Sequence, residues 1–548
     1  MAMTYQLPLQ RLAHWVKTKP DSVWLSQPVN GLWHDLTWAE VDDQARRMAA
    51  ALKALGCEPG DRVALLSKNC AQWIIADLAI MMAGLVSVPL YPLQSAESIA
   101  YVLDHAQVRV ILVGKLDDAQ KLEAGISEQI VRIAMPYPTL TAQHHWDALL
   151  AAHAPLREVH EVRPDDLASI LYTSGTTGNP KGVMLSVQSF AWSGTQSVAE
   201  LGINENDQYF SYLPLSHAAE RILVEVNALY SSGRIAFVES LDSFMRDLQR
   251  VRPTIFFSVP RLWTRFQQGV LEKLPQSKLQ RLLRVPLLGS LVAGKIRKGL
   301  GLDRARFLVS GAAPIPAALL QWYRSIGLNI CEGYGMTEHL AYGCFNRPEQ
   351  IRIGTVGRPM PGLELRIADD GEILLRCPSM MQGYYLDPEK TAETLRDGWL
   401  HTGDKGSVDA EGYLTITGRV KDIFKTSKGK YVAPAPIEGE IAKNLWVEQV
   451  CLIGNGMDQP VALIELSLAA AGQSREALTQ SLEQTLQTVN ERLLPHEKVS
   501  HLLIVSEPWT TDNGCMTPTM KIRRNVLEAK FAHEPAVQDS TALVVWQA

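Results

Sequence analysis

Apolar residues recur along this chain with two alternating rhythms. Val41, Ala45, Met48, Ala49 and Leu52 fall at helical spacing, and Gly56 with Pro59 closes the helix they predict. Short apolar runs at 62–66 and 108–113 predict strands. The alternation predicts α/β layers with mostly buried parallel strands. The longest apolar run, residues 73–91, contains Asp77, Gly84 and Pro89. It predicts a core helix followed by a buried strand, because a membrane span needs about 20 residues with few or no charges. Residues 267–302 are rich in Leu, Lys, Arg and Gln, with breaks at Pro275 and Pro286, and predict a short helical excursion.

From Gly362 the texture changes. The segments LELRI, EILLR and YLTIT are punctuated by the turn signals Asp370-Gly371 and Glu411-Gly412. They predict a β-rich subdomain over about 355–420. A lysine-rich loop follows Gly418-Arg419, and the remaining 125 or so residues of mixed pattern suffice for a small domain of their own. The expected organisation is therefore α/β. Residues 1–420 form a large domain of layered α/β subdomains plus the β-rich part, and residues 421–548 form a small α+β domain.

At 548 residues the chain exceeds what one hydrophobic core supports. A net charge of −5 gives no reason to expect nucleic-acid binding, although basic clusters at 421–430 and 521–524 are candidate local anion sites. Seven cysteines, an odd number without a C-x-x-C pair, argue against a disulfide framework and a structural zinc site. A reducing cytoplasm is the expected compartment. The first ten residues lack the basic and apolar regions of a secretory signal. No basic amphipathic helix stands out strongly enough to claim a membrane surface, though peripheral contact is left open.

The most informative stretch is residues 172–182, Tyr-Thr-Ser-Gly-Thr-Thr-Gly-Asn-Pro-Lys-Gly, directly after an apolar strand pattern. Thr173, Ser174, Thr176 and Thr177 supply hydroxyls, while Gly175 and Gly178 let backbone N–H groups converge as a nest for phosphate oxygens. Lys181 adds positive charge. The common P-loop is excluded, because Pro180 occupies the position where Gly175 would require the second glycine. A polar turn is the competing reading.

Further along come Gly311-Ala312-Ala313-Pro314 and Gly333-Tyr334-Gly335-Met336-Thr337-Glu338. In the second, glycines beside Tyr334 suit close approach to a flat ring, and Glu338 is a hard oxygen ligand suited to Mg²⁺. Asp404, in Trp-Leu-His-Thr-Gly-Asp, can accept from two vicinal hydroxyls. Gly418-Arg419 follows fourteen residues later, and Thr-Pro-Thr-Met-Lys521-Ile-Arg-Arg lies near the end. Taken singly, Asp404 reads as a turn residue and Lys521 as a solvated surface lysine.

Together and in this order, the motifs closely resemble those of the adenylate-forming, AMP-binding superfamily. The segment Leu213-Pro214-Leu215-Ser216-His217-Ala218-Ala219-Glu220-Arg221 resembles its long-chain fatty acyl-CoA synthetases. The resemblance covers essentially the whole chain. It implies ATP, Mg²⁺ and coenzyme A, and a fatty acid activated as acyl-AMP before transfer to the thiol. It implies that Thr173 to Gly178 and Lys181 hold the phosphates, with Thr173 and Glu338 at the metal. Gly311 and Ala312 would belong to the cofactor site, Gly333 to Thr337 would face the adenine, and Asp404 and Arg419 the ribose. Lys521 would bridge carboxylate and α-phosphate, as a catalytic residue beside Glu338 and His217.

A mobile C-terminal domain is implied as well, hinged at Lys421, with Lys425 and Gly429 on the loop its rotation delivers. Two departures stand out. The 267–302 region looks abbreviated, and Lys428 replaces the first glycine of the usual Ser-Gly-Gly. Two alternatives stay open: an adenylate ligase that loads a carrier protein, and a non-catalytic acyl- or nucleotide-binding protein. The resemblance is silent on acyl chain length and on oligomeric state.

Overall fold

The computed structural model describes residues 5–137, 139–173, 179–467, 470–517, 521–538, 540 and 542–547. Two large sheets dominate the first part of the chain. Among the described residues, one has nine strands in the order Arg358–Pro359, Cys344–Phe345, Ile330–Tyr334, Phe307–Ser310, Ile255–Ser258, Gln208–Ser211, Arg234–Phe237, Val23–Val29 and Leu32–Thr37. Its central strands pair in parallel, and its edges are antiparallel. The other has eight strands, with Val86–Leu90, Arg62–Leu66 and Val108–Val113 parallel at its centre.

Helix Ala71–Met82 shows why the apolar run at 73–91 lacks a polar face. All of its residues except Gln72 are buried, so it is a core helix that is apolar all round. Strand Val86–Leu90 follows, as expected. Nearby, Trp24 stacks on Trp38 with ring centroids 4.1 Å apart, and both are fully buried.

The charge inside that helix has a specific partner. Asp77 Oδ2 accepts from Arg221 Nη2 at 2.5 Å, and Arg221 Nε donates to Glu225 at 2.9 Å. The guanidinium also lies over Trp73 and Phe190. Glu220 belongs to a different network. Its Oε1 accepts from Ser211 Oγ at 2.8 Å, from the Tyr212 N–H at 3.2 Å and from Asn69 Nδ2 at 3.3 Å. The adjacent Glu220 and Arg221 are therefore not each other's partners. Arg221 opens a π-helix, Arg221–Val226, and Glu220 is the residue just before it.

The β-rich part forms a third sheet from Glu364–Ile367, Glu372–Arg376, Trp399–Val408, Leu395–Arg396 and Leu414–Arg419. Two short strands within the same stretch, Arg358–Pro359 and Gly383–Tyr384, join the large sheets instead. Beyond Val420–Asp422, a 3₁₀ turn, the chain builds a separate four-stranded sheet of Val447–Ile453, Val461–Leu466, Leu502–Ile504 and Val544–Trp546. That sheet has its own apolar cores. The 267–302 excursion is helical throughout most of its length, in helices Pro260–Lys273, Gln276–Leu283 and Pro286–Gly299. All seven cysteines are buried and unpaired.

Burial raises the Glu220 carboxyl to about 8, against an ordinary 4.5, although its hydrogen bonds oppose this. The native state thus holds a proton that the unfolded chain releases. This group favours folding fully below its unfolded value and loses that contribution as pH rises through about 8. Glu220→Gln is therefore expected to flatten the fall in stability between about pH 5 and 8. Urea midpoints of both proteins across that range check it. A wild-type-minus-variant difference that stays constant with pH would contradict it.

Candidate active site

Strands Leu167–Thr173 and Lys181–Ser186 form an antiparallel hairpin in which Thr173 pairs with Lys181. The two described flanks of the expected cradle, Thr173 and Lys181, are thus paired strand ends. Its centre (Ser174, Gly175, Thr176, Thr177 and Gly178) lies outside the described residues. The Lys181 ammonium sits over the Tyr384 ring, 5.5 Å from its centroid. Burial lowers its pKa, as do the charges of Lys390 and Lys421, while Asp387 and Glu338 oppose the shift.

Strands Phe307–Ser310 and Ile330–Tyr334 run parallel, and the two glycine motifs leave them at the same end. A side chain at Gly311 would come within 3.2 Å of the Gly333 carbonyl, so these motifs adjoin. Ala312 follows in the left-handed region at φ 67° and is exposed. At Gly335 a Cβ would meet the Ala341 carbonyl at 2.6 Å. The protein's own backbone demands this glycine, so the expectation that ligand approach alone explains it is incomplete. Met336 and Thr337 are half-buried beside it, and Thr337–His339 forms a single 3₁₀ turn. The buried His339 holds this turn. Its Nε2 accepts from the Met336 N–H at 3.1 Å, and its Nδ1 donates to the Tyr342 carbonyl at 2.9 Å.

Glu338 is buried, and Tyr384 donates its hydroxyl to Oε1 at 2.8 Å. Burial raises its pKa, while the Tyr384 bond and the charges of Lys521 and Arg419 pull the other way. No described residue bonds Oε2. Among the described residues there is also no cluster of three or more His, Cys, Asp or Glu able to hold a metal. A hard divalent cation at Glu338 would therefore complete its shell with ligand oxygens and water, which suits Mg²⁺ with a phosphate ligand.

Asp404 ties the remaining pieces together. It is buried, accepts from the Tyr334 hydroxyl at 2.7 Å and pairs with Arg419 Nε at 3.0 Å. The pairing follows from register, because Asp404 and Arg419 face each other across strands Trp399–Val408 and Leu414–Arg419. Spacing alone did not show that Tyr334 directs its hydroxyl at Asp404 while sitting in the expected ring-contact motif.

Lys521 comes to the same place from the far end of the chain. Its side chain keeps contact with solvent, yet the surrounding protein and Arg419 lower its pKa, while Asp404 and Glu338 oppose. Its charge also reaches His217, whose pKa burial pushes down to about 4. His217 is thus neutral at physiological pH. Its Nδ1 accepts from the Ala219 N–H at 3.1 Å, so the neutral ring carries its proton on Nε2. Preceding residues Pro518, Thr519 and Met520 lie outside the described residues.

The hinge-side loop sits apart from this cluster. Lys425 ends strand Phe424–Lys425, is exposed and lies over the Tyr431 ring. Gly429, at φ 76°, closes a turn in which its N–H bonds the Thr426 carbonyl. Asp458 pins the loop through Ser427 Oγ and, at 3.5 Å, through Lys428. Lys421 lies in the 3₁₀ turn immediately after Arg419.

Sequence reasoning brought together Lys181, Glu338, Asp404, Arg419, Lys521 and His217, and missed Tyr384. That residue links the Lys181 ammonium to the Glu338 carboxylate because strand Gly383–Tyr384 pairs with Lys181–Ser186. The assembly can hold an anionic, oxygen-rich ligand between cations, with a buried carboxylate at each end.

A sequence model of the AMP-binding enzyme family matches residues 12–385, and one of the AMP-binding enzyme C-terminal domain matches 421–535. The chain is 31% identical to long-chain-fatty-acid–CoA ligase FadD15 of Mycobacterium bovis, covering 94% of each chain. It is also 31% identical to fatty acyl-CoA synthetase A of Dictyostelium discoideum, covering 89% of this chain and 83% of that one. Its fold matches the anthranilate CoA ligase AuaEII solved with anthranoyl-AMP, with a TM-score of 0.80 at 24% identity over 96% and 97% of the two chains.

Removing the Tyr384 hydroxyl should cost about 1–2 kcal/mol, because a buried carboxylate loses a hydrogen bond. A lowered thermal midpoint for Tyr384→Phe checks this. An unchanged midpoint would show that the bond carries no weight.

Proposed function

The chain belongs to the AMP-binding enzyme family, and from that premise we propose that it is a fatty-acid:CoA ligase. It joins a fatty acid to AMP at the expense of ATP, releases pyrophosphate, and then passes the acyl group to coenzyme A. The observation that carries this reading is the joining of Lys181, Tyr384 and Glu338 on one side and Tyr334, Asp404 and Arg419 on the other, with the Lys521 charge felt by Glu338. Relatives named as CoA ligases, matched over most of their length, favour coenzyme A over a carrier protein as acceptor.

In this reading Thr173 and Lys181 flank the phosphates, and Asp404 and Arg419 hold the ribose hydroxyls. Gly311, Ala312 and the 333–337 backbone form the wall against the adenine. When bound at Glu338 and Thr173, Mg²⁺ neutralises phosphate charge. Lys521 places its ammonium where charge develops as the carboxylate adds to the α-phosphate. Burial and the Arg419 charge lower its pKa, and the negative charge of a bound phosphate opposes that shift. Neutral His217, whose Nδ1 accepts from the Ala219 N–H, carries its proton on Nε2 and can donate a hydrogen bond to the acyl or thiol group.

The thiol step needs room that Lys521 occupies. Rotation of residues 421–548 about Lys421 clears it and brings Lys425 and Gly429 to the site. The ion pairs that cross between the two parts, Lys121–Asp512 and Arg261–Glu448, are consistent with such a swing. The exposed Lys121–Asp512 pair contributes only about 0–1 kcal/mol, while the interacting atoms of Arg261 and Glu448 are buried.

The test is turnover with ATP, Mg²⁺ and saturated fatty acids of graded length, with and without coenzyme A. Pyrophosphate release is expected to require a long acid, and multiple turnovers with thioester formation are expected to require coenzyme A as well. A single pyrophosphate burst indifferent to coenzyme A would overturn the acceptor assignment, and no acid-dependent pyrophosphate would overturn the enzyme.

Lys521→Ala should cut the adenylation half-reaction by roughly 10²–10³-fold, as for loss of a comparable transition-state donor. Thioester formation from supplied acyl-AMP should stay close to wild type. Equal loss in both half-reactions would contradict separate conformations.

A further inference from the structure

Helices Gln276–Leu283 and Pro286–Gly299 form a hairpin whose tip turns its leucines outward. Leu287 is 84% exposed, Leu291 72%, Val285 50% and Leu288 42%. The base of the hairpin is well anchored. Leu279 and Ala293 are buried in a core with Trp263, Phe266 and Trp322, and Trp322 Nε1 donates to Gln276 at 3.1 Å. At Gly289 a Cβ would meet the Leu283 carbonyl at 2.7 Å, so a glycine there lets the two helices close on each other. The tip is therefore held rigidly, with its apolar side chains facing water. Such contiguous apolar exposure marks an interaction surface.

The charge pattern selects the partner. Between Pro275 and Leu302 there is no Asp or Glu, while Lys278, Arg281, Arg284, Lys295, Arg297 and Lys298 are all basic, in a chain of net charge −5. Lys278, Arg281, Arg284 and Lys295 are exposed and form no ion pair among the described residues. Lys278 and Arg281 lie three residues apart on the first helix, and Arg284 caps its end. Leu287, Leu291 and Lys295 recur at four-residue steps on the second, so apolar tip and cationic flank share a stripe. A second copy of the same tip would bring like charges together. An anionic bilayer offers an apolar interior and a negative surface in one place.

We propose that this hairpin tip docks the protein on anionic lipid membranes, with Leu287, Leu288 and Leu291 entering the acyl boundary and the flanking cations meeting headgroups. Among the described residues no helix is long and apolar enough to cross a membrane, so the contact is peripheral. The sequence pattern concealed it, because leucines at helical spacing read as core until tertiary placement turns them outward.

The experiment is cosedimentation of the full chain, without nucleotide, with phosphatidylcholine vesicles that contain or lack phosphatidylglycerol. Docking needs no turnover, so its failure and that of the catalytic reading are distinguishable. Binding is expected to favour the anionic vesicles and to weaken with added salt. Leu287→Asn with Leu291→Asn should weaken it by more than about tenfold. Arg281→Glu with Arg284→Glu should abolish the preference for phosphatidylglycerol, at about fivefold per charge removed. Both double variants alter solvent-facing side chains and should melt as wild type does. Absence of vesicle binding, or binding equal to wild type in both double variants, would overturn the proposal. So would a concentration-dependent dimer abolished by the leucine changes, since the tip would then face a second copy.

Discussion

The carboxylate of Asp404 is the point to which the rest of the site is referred. It bonds the Tyr334 hydroxyl and the Arg419 guanidinium, so it joins the end of the nine-stranded sheet to the last strand before the C-terminal part. Hydrogen bonds to a charged group of this kind contribute about 1.5–3 kcal/mol each. Arg419 is followed at once by the turn that starts the small domain. The orientation in which Lys521 enters the site is thus set from a strand whose register Asp404 helps to fix.

That arrangement balances two demands. The cations at the site must be close enough to gather an anionic ligand, and they depress one another while they wait: Arg419 lowers the Lys521 pKa, and Lys421 and Lys390 lower that of Lys181. Glu338 and Asp404 offset part of this repulsion without neutralising it. The remaining positive charge is available to phosphate oxygens. Helix Pro434–Ile441 packs against strand Leu414–Arg419, and the ion pairs Lys121–Asp512 and Arg261–Glu448 also cross between the two parts, so the proposed rotation exchanges these contacts.

Much of this was legible in the chain because the chemistry sits in contiguous motifs at the ends of strands. The alternation of periods foretold the α/β layers, and the change of texture at Gly362 foretold the third sheet. What was illegible depends on contacts between remote positions. Asp77 and Arg221 are 144 residues apart, and nothing local announces their pairing. The charge inside an apolar helix was itself a signal, since a buried carboxylate needs a partner. Tyr384 reached the site only because a two-residue strand joined an edge that its surroundings did not suggest. Glu220 and Arg221 are adjacent in sequence, yet their partners, Ser211 for one and Asp77 for the other, lie on separate elements. For Ser174 to Gly178 the reading still rests on the motif, with Thr173 and Lys181 as its described flanks.

The central claim is that the carboxylate is activated on AMP before any thiol takes part. Isotope exchange between pyrophosphate and ATP, driven by a long-chain acid with coenzyme A left out, tests this most directly. The account predicts exchange that requires the acid and Mg²⁺ and that nearly vanishes in Lys521→Ala. Exchange that ran without the acid, or that appeared only once coenzyme A was added, would contradict it.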